Sequence, residues 1–96
     1  MKVITVCGMG LGTSLMLLME VQSIAAKHGF DVSGEATDLG SALGRKCDFF
    51  VASSEIASQL ASKNALIVGI KNIIDKNEIE NKIVPVMQAI ADKRGE

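Results

Sequence analysis

Residues 6–15 read VCGMGLGTSL, and residues 2–6 leading into them read KVITV. Four of those five leading residues are β-branched, which suits a pleated strand. Glycines at 8, 10 and 12 then free the backbone to turn, and Thr13 and Ser14 open a segment of helical period running to about residue 27. Strand, glycine-rich turn and helix in immediate succession form the first unit of an α/β domain. Three further strand-like runs follow, FDVSGEA at 30–36, DFFVA at 48–52 and ALIVGI at 65–70. Helical segments are expected near 38–45, 54–63 and 76–92. Eight alternating elements predict a single domain over residues 1–96 built on a four-stranded parallel sheet, because parallel neighbours need crossover connections. The second run alternates Asp31, Ser33 and Glu35 with smaller or apolar residues, as an edge strand does, whereas the others are largely apolar on both faces. The expected strand order is 2-1-3-4, the flavodoxin-like arrangement with helices on both faces.

Local chemistry sets the expected boundaries. Ser14 or Thr13 is expected to cap the first helix and Gly29 to end it in a left-handed conformation; Asp75 with Glu78 suggests a capping box for the last. Pro85 interrupts the helical series Ile79, Ile83, Val86, Met87 and Ile90, which predicts a kink or a break near residue 84.

Composition narrows the function classes. Ten basic residues against 11 acidic ones leave a net charge of −1, so there is no basic field to hold a nucleic acid. The apolar runs LMLLM at 15–19 and ALIVGI at 65–70 fall far short of the ~20 residues that span a bilayer, so direct membrane insertion is not expected. MKVITV carries no secretory pattern, which predicts a cytoplasmic location and reduced thiols at Cys7 and Cys47. No cofactor is implied.

Ligands of open parallel sheets bind beyond the carboxyl ends of the strands, where strand order reverses, and Cys7 falls there. Backbone N–H groups of Gly8, Met9, Gly10, Leu11, Gly12 and Thr13, with the hydroxyls of Thr13 and Ser14, can form an anion cradle, reinforced by the positive end of the following helix. A tetrahedral dianion is the natural guest. The same surroundings favour the thiolate of Cys7 and so a nucleophile, which suggests a phosphocysteine. A buried, inert cysteine beside an ordinary glycine turn is the plain alternative. A dinucleotide fold is another, although Thr13 stands where the third glycine or alanine of G-x-G-x-x-G belongs. The low-molecular-weight cysteine phosphatases carry C-x5-R, and here Thr13 occupies the arginine position, so the loop has no cation to stabilise hydrolysis. His28, at the far end of the first helix, lies about 20 Å from Cys7 at 1.5 Å per residue and does not pair with it.

On VCGMGLGTSLMLLMEV at 6–21, FFVASSEIA at 49–57 and IVGIKNIIDKNEIENKI at 67–83, the chain resembles the enzyme IIB components of the sugar phosphotransferase system (PTS), most closely the L-ascorbate type within the lactose/galactitol IIB-like superfamily. The resemblance implies a phosphocarrier. Cys7 would accept a phosphoryl group from a phosphohistidine of a IIA protein and pass it to a carbohydrate, L-ascorbate or a related sugar, held by the membrane IIC permease. The chain would then be cytoplasmic and associated peripherally with IIC. A phosphatase-like hydrolase and a non-catalytic anion-binding module are the readings from other classes.

Four flanking features complete the expectations. Asp38 is a cap for the short second helix or, as in phosphatases, a general acid. Ser53 or Ser54 is a helix cap or a phosphate contact. Cys47, at the amino end of the third strand, is too far from Cys7 for a disulfide. Met9, Leu11 and Met16 form an apolar rim for docking, or Met16 is core.

Overall fold

The computed structural model describes residues 1–8, 12–60 and 65–95. The elements alternate as expected: β1 (Lys2–Cys7), α1 (Gly12–Lys27), β2 (Ser33–Asp38), α2 (Leu39–Ala42), β3 (Phe49–Ser53), α3 (Ser54–Gln59), β4 (Ile67–Ile70) and α4 (Lys76–Arg94). All pairings are parallel, in the order β2-β1-β3-β4, so β1 lies inside the sheet and β2 at its edge. Among the described residues no helix is long and apolar enough to cross a membrane.

Strand alternation divides the core into two layers. Val3, Phe49, Val51, Val68 and Ile70 face α1 and α4, meeting Leu17, Leu18, Val21 and Ile24 of the one and Ile79, Ile83, Met87 and Ile90 of the other. Ile4, Val6, Phe50 and Ala52 face α2 and α3 and meet Ala42 and Leu60, with Ile56 and Ala57 packed against them. Both faces of the sheet are therefore dry, which is why β1 and β3 lack the polar alternation of a one-sided strand.

Several boundaries differ from those expected, each for a local reason. β2 starts at Ser33 rather than near 30 because Phe30 is used to end α1. The Phe30 amide donates to the Ala25 carbonyl (2.8 Å) and the Gly29 amide to the Ala26 carbonyl (3.2 Å), with Gly29 at φ 79°. This is a Schellman ending, and the Phe30 ring packs onto the α1 layer of the core. α2 has four residues instead of eight. α1 begins at Gly12, so Thr13 and Ser14 lie in its first turn rather than at its cap. Asp75 caps α4 through Asn77 and Glu78 amides, yet Glu78 does not complete the box. Its carboxylate instead accepts from the Lys71 amide (2.6 Å) and the Asn72 amide (2.9 Å), closing the turn between β4 and α4.

Of the kink or break expected near residue 84, the break does not occur. α4 continues through Pro85 to Arg94. Pro85 is exposed, so the carbonyl that loses its intrahelical donor faces water, while buried Ile79, Ile83, Met87 and Ile90 anchor both halves to one sheet.

Candidate functional site

Cys7 is the last residue of β1, the strand at which the order of the sheet reverses, and only 6% of it is exposed. Its thiol donates towards the Thr37 carbonyl at 3.8 Å. On one side Cys7 is in register with Asp38 of β2. On the other the register runs to Val6 beside Ala52, so one step further Cys7 comes alongside Ser53 of β3. Residues in register on parallel strands share a face, which gives the cysteine one carboxylate neighbour and one hydroxyl neighbour.

The loop after Cys7 is described only at its ends. Gly8 is exposed, Gly12 opens α1, Thr13 is exposed and Ser14 fully buried. Met9, Gly10 and Leu11, which the sequence reading includes in the anion cradle and the apolar rim, lie outside the described residues. Gly8 does not have the positive φ that a glycine at this turn suggests. Its role is to leave room: a β-carbon there would lie 2.8 Å from Cδ1 of Ile56 in α3. Gly69 plays the same part across α3, where a β-carbon would lie 3.2 Å from Ala57 Cβ and 3.4 Å from Ser54 Cα. α3 is thus set between two glycines, one in the glycine-rich loop after β1 and one in β4.

Thr5 fixes the helix side of the loop. It is fully buried between the apolar Ile4 and Val6, and its hydroxyl donates to the Ser14 carbonyl at 2.6 Å. One hydrogen bond therefore ties the floor of the loop to the first turn of α1. The strand sequence holds the only signal that could have pointed to it, a threonine at a position facing the core.

Asp38 takes the cap role. Its Oδ1 accepts from the Ser41 amide at 3.0 Å, and hydrogen bonds from the Ser41 side chain and then its backbone hold the carboxyl below its ordinary value. The carboxylate is thus engaged at the start of α2, as a cap, and hydrogen bonding there favours its ionised form. Ser53 occupies the cap position of α3 but makes no cap hydrogen bond, so the capping reading fails for it. His28 follows α1 and contacts Glu80 of α4 at 2.8 Å, alongside Lys27 at 3.2 Å. Hydrogen bonds from His28 first and Lys27 second lower the Glu80 carboxyl. His28 thus joins two helices and has no part at Cys7. Cys47 is half-buried at the opposite end of the sheet, donating to the Phe49 carbonyl at 3.2 Å, and burial raises its pKa. Neither cysteine forms a disulfide. Among the described residues no three histidine, cysteine or carboxylate side chains converge as metal ligands would.

A groove of about 340 Å³ opens beside the loop, lined by Thr13, Met16, Leu17, Glu20, Ile73, Ile74 and Lys76. Met16 is 66% exposed and Ile74 75%, so Met16 lies outside the core. Ile74 was not legible in advance. It is presented by the turn that Glu78 closes, and hydrogen bonds from Lys82 and from the Lys71 and Asn72 amides bring the Glu78 carboxyl down to about 2.

Comparison with known proteins places this geometry in context. A family model described as PTS system, lactose/cellobiose specific IIB subunit, matches residues 2–85. An ascorbate-specific PTS system EIIB component of Mycoplasma pneumoniae is 30% identical over 90 residues, covering 91% of this chain and 95% of that protein. Proteins of the same description from Shigella boydii and Escherichia coli are each 24% identical over 91 residues, covering 92% of this chain and 90% of theirs.

Proposed function

The chain belongs to the PTS IIB family, and from that premise we propose that it is a phosphocarrier whose Cys7 takes a phosphoryl group from a IIA phosphohistidine and gives it to a carbohydrate bound by a membrane IIC component. The observation that carries the reading is the setting of Cys7: the end of the inner strand, at the reversal of strand order, opening a glycine loop that leads into α1. The ascorbate-specific description of the relatives supports L-ascorbate or a closely related sugar as the final acceptor. Working between a soluble donor and a membrane permease, the protein would act at the cytoplasmic face of the membrane.

In the first step Sγ of Cys7 attacks phosphorus, the S–P bond forms and the P–N bond of the phosphohistidine breaks. The thiol proton ends on the departing imidazole. In the second step an acceptor hydroxyl attacks phosphorus, the S–P bond breaks, and Cys7 leaves as thiolate while a base beside the acceptor takes the hydroxyl proton. Amides from Gly8 to Thr13 and the hydroxyls of Thr13 and Ser14 would hold the phosphoryl oxygens during both.

Two features favour transfer over hydrolysis. A cysteine phosphatase needs an acid to protonate the leaving group, and Asp38, the carboxylate in register with Cys7, is engaged as the cap of α2, where the Ser41 hydrogen bonds favour its ionised form. The sole histidine is committed to Glu80. A phosphoryl group held by a loop whose sequence carries no lysine, arginine or histidine draws charge stabilisation and proton transfer from its partners, as a relay does.

Incubation with phosphoenolpyruvate, the two general phosphotransfer proteins and a IIA protein should yield an acid-labile phosphothiol on Cys7 that Cys7→Ser abolishes. Absence of label in the wild type, with IIA itself phosphorylated, would overturn the reading. Steady phosphate release from an aryl phosphate would put a hydrolase in its place.

A further inference from the structure

We propose that the Ser53 hydroxyl is an additional ligand of the phosphoryl group on Cys7, donating a hydrogen bond to one of its oxygens; this rests on the phosphocarrier reading. Three observations carry it.

The first is register. β1 and β3 pair from Val3 beside Phe49 to Val6 beside Ala52, and the next step sets Ser53 alongside Cys7 on the face of the sheet that also bears Thr5 and Val51. Neighbouring strands lie about 4.8 Å apart, so a phosphorus bonded to Sγ comes within reach of a side chain on the adjacent strand. Of the two residues flanking Cys7, Asp38 is an anion and would repel a phosphoryl dianion, whereas Ser53 is a neutral donor.

The second is what Ser53 does not do. The residues before α2 and α4, Asp38 and Asp75, cap their helices with side-chain bonds to backbone amides. Ser53 holds the equivalent place before α3, at φ −60° and ψ 154°, and makes no such bond. Its hydroxyl is therefore not committed to the helix. α3 has six residues, and nothing is asked of its amides; the side chain acts alone.

The third is where the neighbouring hydroxyl, that of Ser54, lies. Gly8 and Gly69 leave just enough space on either side of α3 for Ile56 and for Ser54 with Ala57. Ser54 Oγ lies on the Gly69 side, 3.7 Å from where a β-carbon would stand. Ser54 is thereby turned towards β4, which leaves Ser53 as the hydroxyl next to Cys7. A neutral donor also suits a relay, because it steadies the transferred group without a fixed cation that would retain it.

The test compares Ser53→Ala with Ser53→Thr, which keeps the hydroxyl. A hydrogen bond to a charged oxygen corresponds to about a tenfold to hundredfold change in rate. Ser53→Ala should therefore lower kcat for transfer from phosphorylated IIA by at least about tenfold with KM for IIA unchanged, and shift the phosphorus NMR resonance of the Cys7 phosphothiol. Ser53→Thr should restore both. The Tm of unphosphorylated Ser53→Ala should equal that of the wild type, since no cap bond is lost. An Ala variant that is phosphorylated on Cys7 with unchanged kcat and resonance would overturn the assignment, and so would a lowered Tm that alone accounts for the rate. Failure of the wild type to label on Cys7 would instead overturn the phosphocarrier reading beneath it.

Discussion

Thr5→Val separates the position of the loop from the stability of the fold. Valine has nearly the shape of threonine, so the substitution removes one donor from a fully buried site and opens no cavity. The lost bond is the 2.6 Å contact to the Ser14 carbonyl. A neutral intramolecular hydrogen bond contributes about 1 kcal/mol net. For a domain of 96 residues, an unfolding entropy of roughly 2 cal/mol/K per residue turns that into a Tm lower by about 5 °C. Thr5→Ser is the matched control: it keeps the donor and deletes a buried methyl group, at a similar cost of about 1 kcal/mol. Thermal unfolding by circular dichroism should thus place the two variants close together. Their phosphorylation rates should part. In Thr5→Val the first turn of α1 loses this tie to the strand that carries Cys7, and labelling by phosphorylated IIA should slow several-fold, while Thr5→Ser should stay near wild type. Equal labelling rates for the two variants would refute the claim that this bond sets the loop, whatever their Tm values.

Two further perturbations probe what surrounds the site. A β-carbon at Gly34 would lie 2.7 Å from both Leu18 Cδ1 and Val3 Cγ1 and 2.9 Å from the Val3 carbonyl oxygen, and the last of these is backbone that cannot step aside. Gly34→Ala should cost about 1–3 kcal/mol and lower Tm by roughly 5–15 °C, so an unchanged or raised Tm would contradict the packing of α1 over β2. Glu78 has a carboxyl lowered from 4.5 to about 2, so its contribution to stability is complete above 4.5 and is lost as pH falls through about 2. Comparing urea midpoints of the wild type and Glu78→Gln, the advantage of the wild type should hold above pH 4.5 and fade by about pH 2; a gap that does not narrow in acid would mean that the Lys71, Asn72 and Lys82 contacts do not depend on the carboxylate.

The strand order and the place of Cys7 were legible because they rest on patterns that repeat: period-two and period-3.6 hydrophobicity, and the rule that a sheet with crossover connections offers its carboxyl edge. What was not legible depends on pairs of residues far apart in sequence. Glu78 reads as half of a capping box because Asp75 stands three residues before it, and only the folded turn shows that the Lys71 and Asn72 amides reach its carboxylate. Gly8 reads as a glycine needed for its backbone conformation, yet it is small because Ile56, 48 positions later, comes against it. Ser53 reads as a helix cap by its position and is not one. For Glu78 and Gly8 local chemistry predicted the commonest partner and the tertiary structure supplied another; for Ser53 the predicted cap bond is not made. The three exceptions are not scattered. Gly8 adjoins Cys7, Ser53 lies beside it across β3, and Glu78 closes the turn that displays Ile74 at the groove next to Thr13. Where a chain departs from its local preferences, some other demand has prevailed, and function is the demand most often concentrated in one place. Here those departures lie at the carboxyl ends of β1, β3 and β4, the edge at which the proposed phosphocarrier reading puts the chemistry of Cys7.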